Sequence, residues 1–249
     1  MSTSISIDIK EKIFVDSNNL NPSHIAIKDF QLIIPKAQFC SIVGPSGCGK
    51  TTLLNLIAGI DKSLKGTINL EKNKNIKDIK LAYMFQTPRL LPWLNVLENV
   101  EIVLNKEQRK SDRAREILKI MGLEKFLNYF PQKLSGGMQR RVALARSFAS
   151  QPELFILDEP FVSLDEPAAN LLREMLLNLW EKEPTTILFV THDLKEAIYL
   201  SDRIVFLSKS PTKVLSEKKI SINRPRDYNS LEIEKTKNNI LSKHKLILQ

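Results

Sequence analysis

The chain has 249 residues, 43% hydrophobic and 26% charged, which suits one sizeable core or a core with a subdomain. No uninterrupted apolar run approaches the ~20 residues needed to span a bilayer. Met1 to Lys10 lacks the basic-then-apolar layout of a signal peptide, so the expectation is a protein that stays where it is made. The formal net charge is +9, and ten Lys or Arg stand against four Asp or Glu between Leu207 and Gln249. Most of the excess is therefore a basic tail. No recognisable nucleic-acid module lies in it, so a solvated tail is expected over a nucleic-acid surface, with an anionic membrane surface as a third reading. Cys40 and Cys48 cannot make a disulfide framework and read as free thiols in a reducing cytosol.

In chain order, Ser4 to Val15 alternates polar and apolar residues with Ile5, Ile7 and Ile9 on one face, which predicts a strand. Asp16 to Ser23 is rich in turn residues, and Ala26 to Ile34 alternates again. These two runs read as an antiparallel β layer. Phe39 to Val43 is an apolar strand, followed by a helix from Thr51 to Ala58 that Gly59 stops. Gly66 to Leu70 predicts a short strand, Glu71 to Asp78 a polar loop, and Leu81 to Phe85 a strand ending at Gln86. From Thr87 to Ser150 the periodicity becomes helical, with helices expected over Leu94 to Leu104, Asp112 to Met121 and Gly137 to Ala149 and a break at Pro131. Leu154 to Leu157 is strand-like. The helix from Pro167 to Lys182 carries a packing stripe of Leu171, Leu172, Met175, Leu176 and Leu179. Thr186 to Val190 predicts a buried strand, Asp193 with Glu196 a capping box opening a helix from Leu194 to Leu200, and Ile204 to Leu207 a last strand. Strands alternating with helices imply a mostly parallel α/β core. The expected organisation is one domain over residues 1–227, with a helical subdomain inserted at about 87–150, and a basic C-terminal tail at 228–249.

Three stretches carry chemistry. Gly44-Pro45-Ser46-Gly47-Cys48-Gly49-Lys50-Thr51-Thr52 fits the phosphate-loop pattern G-x-x-x-x-G-K-S/T between a strand and a helix. Glycines let the backbone wrap closely around phosphates, and the helix start adds a partial charge of about +0.5. Lys50 would reach the β- and γ-phosphates and the Thr51 hydroxyl would hold Mg²⁺. A Gly-rich turn that binds nothing is the bland alternative; the strand before, the helix after and the Lys-Thr pair weigh against it. Leu154 to Glu159 is an apolar strand ending in two carboxylates, which places Asp158 to hold Mg²⁺ through water and Glu159 to orient or deprotonate an attacking water. In Leu134-Ser135-Gly136-Gly137-Met138-Gln139, Ser135 can cap the following helix and the glycines permit close approach, so this is a second helix start suited to an anion. A chain with one phosphate loop needs no second grip for its own nucleotide. A grip offered to another subunit's nucleotide makes sense of it.

Read together, these stretches closely resemble the ATPase subunits of ABC transporters, over roughly Ile5 to Asp227. The resemblance implies the fold of that family: a P-loop NTPase core, an antiparallel β layer and an inserted α-helical subdomain. It assigns Gln86 to the Mg²⁺ and water shell, Ser163-Leu164-Asp165 to the segment that crosses a dimer interface, and His192 to the γ-phosphate. It makes Phe14 the candidate aromatic that stacks on adenine, with a core role as the alternative. Phe85 to Leu94, with Leu90-Leu91-Pro92-Trp93 in it, and Arg224-Pro225-Arg226 look like the importer subgroup that serves nitrate, sulfonates, taurine and similar solutes. The Leu-Leu-Pro-Trp turn is a plausible dock for a membrane partner's helix, or else a lid packed within the helical subdomain. Two departures stand out: Lys36-Ala37-Gln38 replaces the usual Gly-Glu turn, and Glu71 to Asp78 lacks the usual Gly. What the resemblance implies is an ATP- and Mg²⁺-dependent ATPase, working as a homodimer on the cytoplasmic face of a membrane. It would energise a polytopic permease and, indirectly, serve an extracytoplasmic solute-binding protein, with no nucleic acid as partner. A soluble non-transport ATPase of the same type and the ATPase of an exporter complex are the other readings.

Overall fold

A computed structural model describes residues 2–14, 24–71 and 76–243. Val15, the expected loop Asp16 to Ser23 and the centre of the expected loop Glu71 to Asp78 lie outside the described residues. The chain forms two compact units, one of residues 80–185 and one of residues 2–79 with 186–249. The first unit is wider than the helical segment expected at 87–150, because it also takes in two strands and a long helix.

In the second unit, β1 (Ile5–Phe14) pairs antiparallel with β2 (His24–Ile34) and with β4 (Lys65–Leu70). Ile5, Ile7 and Ile9 are buried, as are Ile34, Leu32 and Phe30 across from them and Ile27 across from Lys12. A separate sheet centres on β3 (Phe39–Val43), parallel to β7 (Thr186–Thr191) and β8 (Arg203–Leu207), with β9 (Val214–Lys219) antiparallel on β8. β3 and β7 are buried along their whole length, the pattern of strands covered on both faces. α1 (Lys50–Ile57) follows β3, α7 (Leu194–Leu200) packs on β3 and β7, and α8 (Leu231–Lys243) packs on α7.

In the 80–185 unit, β5 (Leu81–Met84) runs parallel to β6 (Leu154–Asp158). Around them lie α2 (Val96–Glu101), α3 (Lys106–Lys110), α4 (Arg113–Ile120), α5 (Gly136–Ala149) and α6 (Glu166–Lys182). α5 is the hub: it packs against α2, α4, α6 and β5, and Phe148 meets Phe155 of β6 edge-on at 5.1 Å.

Three expectations need correction. The helix expected over Leu94 to Leu104 is the shorter α2, and α3 was not anticipated. Asn95 and Asn105 each open a helix through a full capping box, with Glu98 and Gln108 respectively, and these caps divide the apolar run. The capping box at α7 is only half made. Asp193 accepts from the N–H of Lys195 at 2.7 Å and of Glu196 at 3.4 Å, but the Glu196 carboxylate instead accepts from the Thr191 hydroxyl at 2.6 Å. The tail after Leu207 is not simply solvated, since it supplies β9 and α8, and α8 buries Ile233 and Ile240. Among the described residues no helix is long and apolar enough to cross a membrane.

Candidate functional site

The second unit carries the phosphate loop. Buried β3 delivers Gly44 to the end of its sheet, and the loop then turns through Gly47 (φ 73°) and Gly49 (φ 100°), a region that favours glycine. Gly49 also leaves no room for a side chain, since a Cβ there would meet the Thr212 hydroxyl at 2.6 Å. Gly49 precedes α1 and has no side chain to cap it, so the N–H groups of the first turn depend on a ligand or solvent. Lys50 is 7% exposed and its ammonium donates to the carbonyls of Gly44 at 2.9 Å and Pro45 at 3.0 Å. Ser46, Gly47 and Thr51 are exposed at the surface of the loop, with Pro45 and Thr52 half-buried. A loop closed to a Cβ at Gly49, an uncapped helix start and a buried ammonium fit a polyphosphate.

Thr212 is a supporting residue that sequence reasoning missed. Its hydroxyl lies within hydrogen-bonding distance of the carbonyls of Ala26 and of Cys48, fixing the loop from beneath. It follows β8 in a stretch that reads only as tail, so no sequence signal marks it. Both cysteines are free and buried. Burial pushes the Cys40 thiol up to about 12 and raises that of Cys48 against the pull of Lys50, so neither is primed as a thiolate. Phe14 ends β1 and is 46% exposed, not core. The Lys12 ammonium sits 4.7 Å from its ring centre. His192 follows β7 and is exposed.

The 80–185 unit carries the carboxylates and the second helix start. Buried β6 ends at Asp158, whose carboxylate accepts from the Tyr83 hydroxyl at 3.3 Å. Tyr83 stacks on Phe85 at 4.1 Å, and the Arg89 guanidinium lies 3.6 Å from the centre of the Phe85 ring. Exposed Gln86 leaves from this stacked column. Burial first, and then the Asp158 charge, raises the Tyr83 pKa, so Tyr83 stays a neutral donor to Asp158. Sequence reasoning missed Tyr83 because a tyrosine in a strand reads as packing. Glu159 takes a left-handed backbone (φ 46°), as does Ser163 (φ 63°).

Ser135 caps α5 by accepting the Met138 N–H at 3.2 Å. A Cβ on Gly136 would meet nothing, whereas one on Gly137 would touch Ala168 at 3.6 Å and Leu164 at 3.9 Å. The start of α5 therefore lies against Ser163-Leu164-Asp165, where Asp165 caps α6. The turn before α2 is pinned from below. Arg146 donates to the carbonyls of Pro88 and Arg89, and the Asn99 amide to those of Leu91 and Leu94. Trp93 is 69% exposed, so it is not a packed lid.

A family profile described as "ABC transporter" matches residues 27–162. An aliphatic sulfonates import ATP-binding protein of Bacillus cereus is 41% identical over 86% of this chain and 85% of its own length. An ABC transporter ATP-binding protein of Methanocaldococcus jannaschii is 40% identical over 97% of this chain and 91% of its own. Among solved structures, the dimeric ATP-binding cassette MJ0796 in a post-hydrolysis state with ADP and phosphate matches with a TM-score of 0.75 and 33% identity, covering 88% of this chain and 100% of that one. The chain belongs to the ABC transporter family, as an ATP-binding, ATP-hydrolysing subunit with the ABC ATPase fold.

Proposed function

We propose that this chain energises an importer for small oxyanionic solutes, with aliphatic sulfonates first among them and nitrate or taurine as relatives in chemistry. It acts as a homodimer on the cytoplasmic face of a polytopic permease, which an extracytoplasmic solute-binding protein feeds. The observation that carries the solute class is the sulfonate-import relative, 41% identical over 86% of this chain. The exposed Trp93 turn is the surface offered to the permease.

In this reading Gly44 to Thr52 hold the phosphates of ATP and Phe14 stacks on adenine. Ser135, Gly136 and Gly137 grip the γ-phosphate bound by the partner subunit. Mg²⁺ takes few protein ligands and several waters, and in this reading the Thr51 hydroxyl, the Asp158 carboxylate and the Gln86 amide oxygen would be its oxygen partners. When bound, the ion neutralises charge on the β- and γ-phosphates. Glu159 accepts the proton of a water whose oxygen bonds to the γ-phosphorus. The bond from that phosphorus to the β-phosphate oxygen breaks, and ADP leaves with its electron pair. His192 donates a hydrogen bond to the γ-phosphate. Closure follows because each nucleotide touches both subunits, and hydrolysis removes that shared contact.

Two substitutions test the assignment. Glu159→Gln is expected to bind ATP normally and to hydrolyse it about 10²–10⁴-fold more slowly, the scale of a lost general base. Lys50→Ala is expected to lose nucleotide binding or turnover. Near-normal hydrolysis by the first variant removes Glu159 from the mechanism, and full activity of the second removes the phosphate loop.

A further inference from the structure

One turn into α5, Arg140 is 8% exposed and its charge meets no carboxylate among the described residues. Burying a guanidinium is costly unless its donors are used. Here both terminal nitrogens are used: Nη1 donates to the Pro160 carbonyl at 2.6 Å and Nη2 to the Val162 carbonyl. A planar fork suits two acceptors spaced this way, and a charged donor makes each bond stronger than a neutral one. The two carbonyls flank Phe161, which is 5% exposed with the Arg173 guanidinium 5.4 Å from its ring centre. The same loop begins at Glu159 and ends at Ser163, both in a left-handed backbone that L-residues hold only where their surroundings enforce it. Arg140 holds two carbonyls in the middle of that loop, between the two left-handed residues.

We propose that Arg140 is a positioning residue for hydrolysis, tying the first turn of α5 to the loop of Glu159 and Ser163 so that the two move as one body. This rests on the roles proposed above for Ser135 to Gly137 and for Glu159. The helix start addresses the nucleotide of the partner subunit, whereas Glu159 acts on the nucleotide of its own. Arg140 therefore links the two nucleotide sites of a dimer. Engagement of phosphate at Ser135 to Gly137 sets the aim of Glu159 through one guanidinium.

The test compares Arg140→Gln and Arg140→Lys in the full chain. It measures kcat and KM for ATP, affinity of the isolated subunit for a fluorescent ATP analogue, and ATP-driven dimerisation by gel filtration in a Glu159→Gln background. Arg140→Gln is expected to lower kcat at least about tenfold, as small misplacements of a reacting group do. Nucleotide affinity stays within about twofold and the dimer still forms. Arg140→Lys keeps the charge but cannot bridge both carbonyls, so its kcat falls at least about threefold and less than that of Arg140→Gln. A kcat for Arg140→Gln within about twofold of the unsubstituted chain overturns the proposal, as does a loss that tracks lost nucleotide affinity or lost dimer. If Arg140→Gln does not fold, Arg140→Lys decides alone, and an unchanged kcat there overturns it. Glu159→Gln by itself separates the layers. If that variant turns over normally, the underlying reading falls; if it is inactive while Arg140→Gln is normal, only the Arg140 assignment falls.

Discussion

Lys12 is the residue whose placement simple alternation gets wrong. Ile5, Ile7 and Ile9 face inward on β1, and that parity would put Glu11 and Ile13 inside. The pairing register shifts between Ile9 and Glu11 on one side and between Lys12 and Ile13 on the other, so Lys12 is buried instead, at 2% exposure. A buried ammonium needs a partner. Asp61 supplies it at 2.6 Å, with Ser63 beside it, and the cation lies over Phe14. Burial works to raise the Asp61 pKa, but hydrogen bonds from Lys12 and Ser63 outweigh it and hold the carboxyl at about 2. The sign follows: a depressed folded-state pKa stabilises above the ordinary carboxylate range, near pH 4, and that stability is lost as pH falls through about 2. Melting temperature is therefore expected to drop between pH 4 and pH 2, and Asp61→Asn to remove this part of the drop. An equally steep acid limb in that variant sinks the assignment. The bulges that bury Lys12 arise from pairing with two other strands, so β1's own sequence cannot announce them. Phe14 was legible only through the family pattern, and its exposed, cation-backed ring is new information from the fold.

Among the elements, those with long apolar periodicity were readable, and those held by few anchors were not. α5 and α6 have wide stripes and appear with nearly the expected bounds. α8 has two anchors, Ile233 and Ile240, seven residues apart in a charged run, and so it read as tail. What fixes it is also local chemistry around α7. Arg226 donates to the carbonyls of Ile198, Tyr199 and Ser201 at the end of α7, where a cation meets the negative end of the helix dipole. Arg224 reaches the Leu200 carbonyl and Asp202. Burial brings the Arg226 pKa down to about 10, still well charged at neutral pH. The Arg-Pro-Arg stretch, which the sequence marked only by resemblance, is thus the clamp that joins the tail to α7. Ile233→Ala and Ile240→Ala are each expected to cost about 2–5 kcal/mol in urea unfolding, the range for large-to-small changes at buried sites. A solvated tail would show almost no cost, and that result would detach α8 from the core.

At the scale of the whole molecule, the α/β core was legible because short, dense motifs sit at strand ends, and the antiparallel layer because Ser4 to Val15 and Ala26 to Ile34 alternate polar and apolar residues. The division into units was not. Each unit gathers segments distant in sequence, such as β5 with β6 or β3 with β8, and composition does not shift at residues 80 and 185. Among the described residues, two exposed features bear on partners. One is the Ser135-capped start of α5, exposed at Ser135 and Gly136. The other is Trp93, exposed on a turn that Arg146 and Asn99 hold rigid from beneath. A rigid turn presenting one large aromatic loses little entropy on docking, which is how interface anchors concentrate binding energy. Tagged protein purified from detergent-solubilised native membranes is therefore expected to bring down a polytopic membrane protein at near-equal stoichiometry. Trp93→Ala should lose that partner while keeping its ATP hydrolysis, because Trp93 has no part in the phosphate chemistry. Recovery of soluble partners or nucleic acid alone would favour the non-transport ATPase reading. A permease retained by Trp93→Ala would keep the transport role and move the docking surface elsewhere on the subunit.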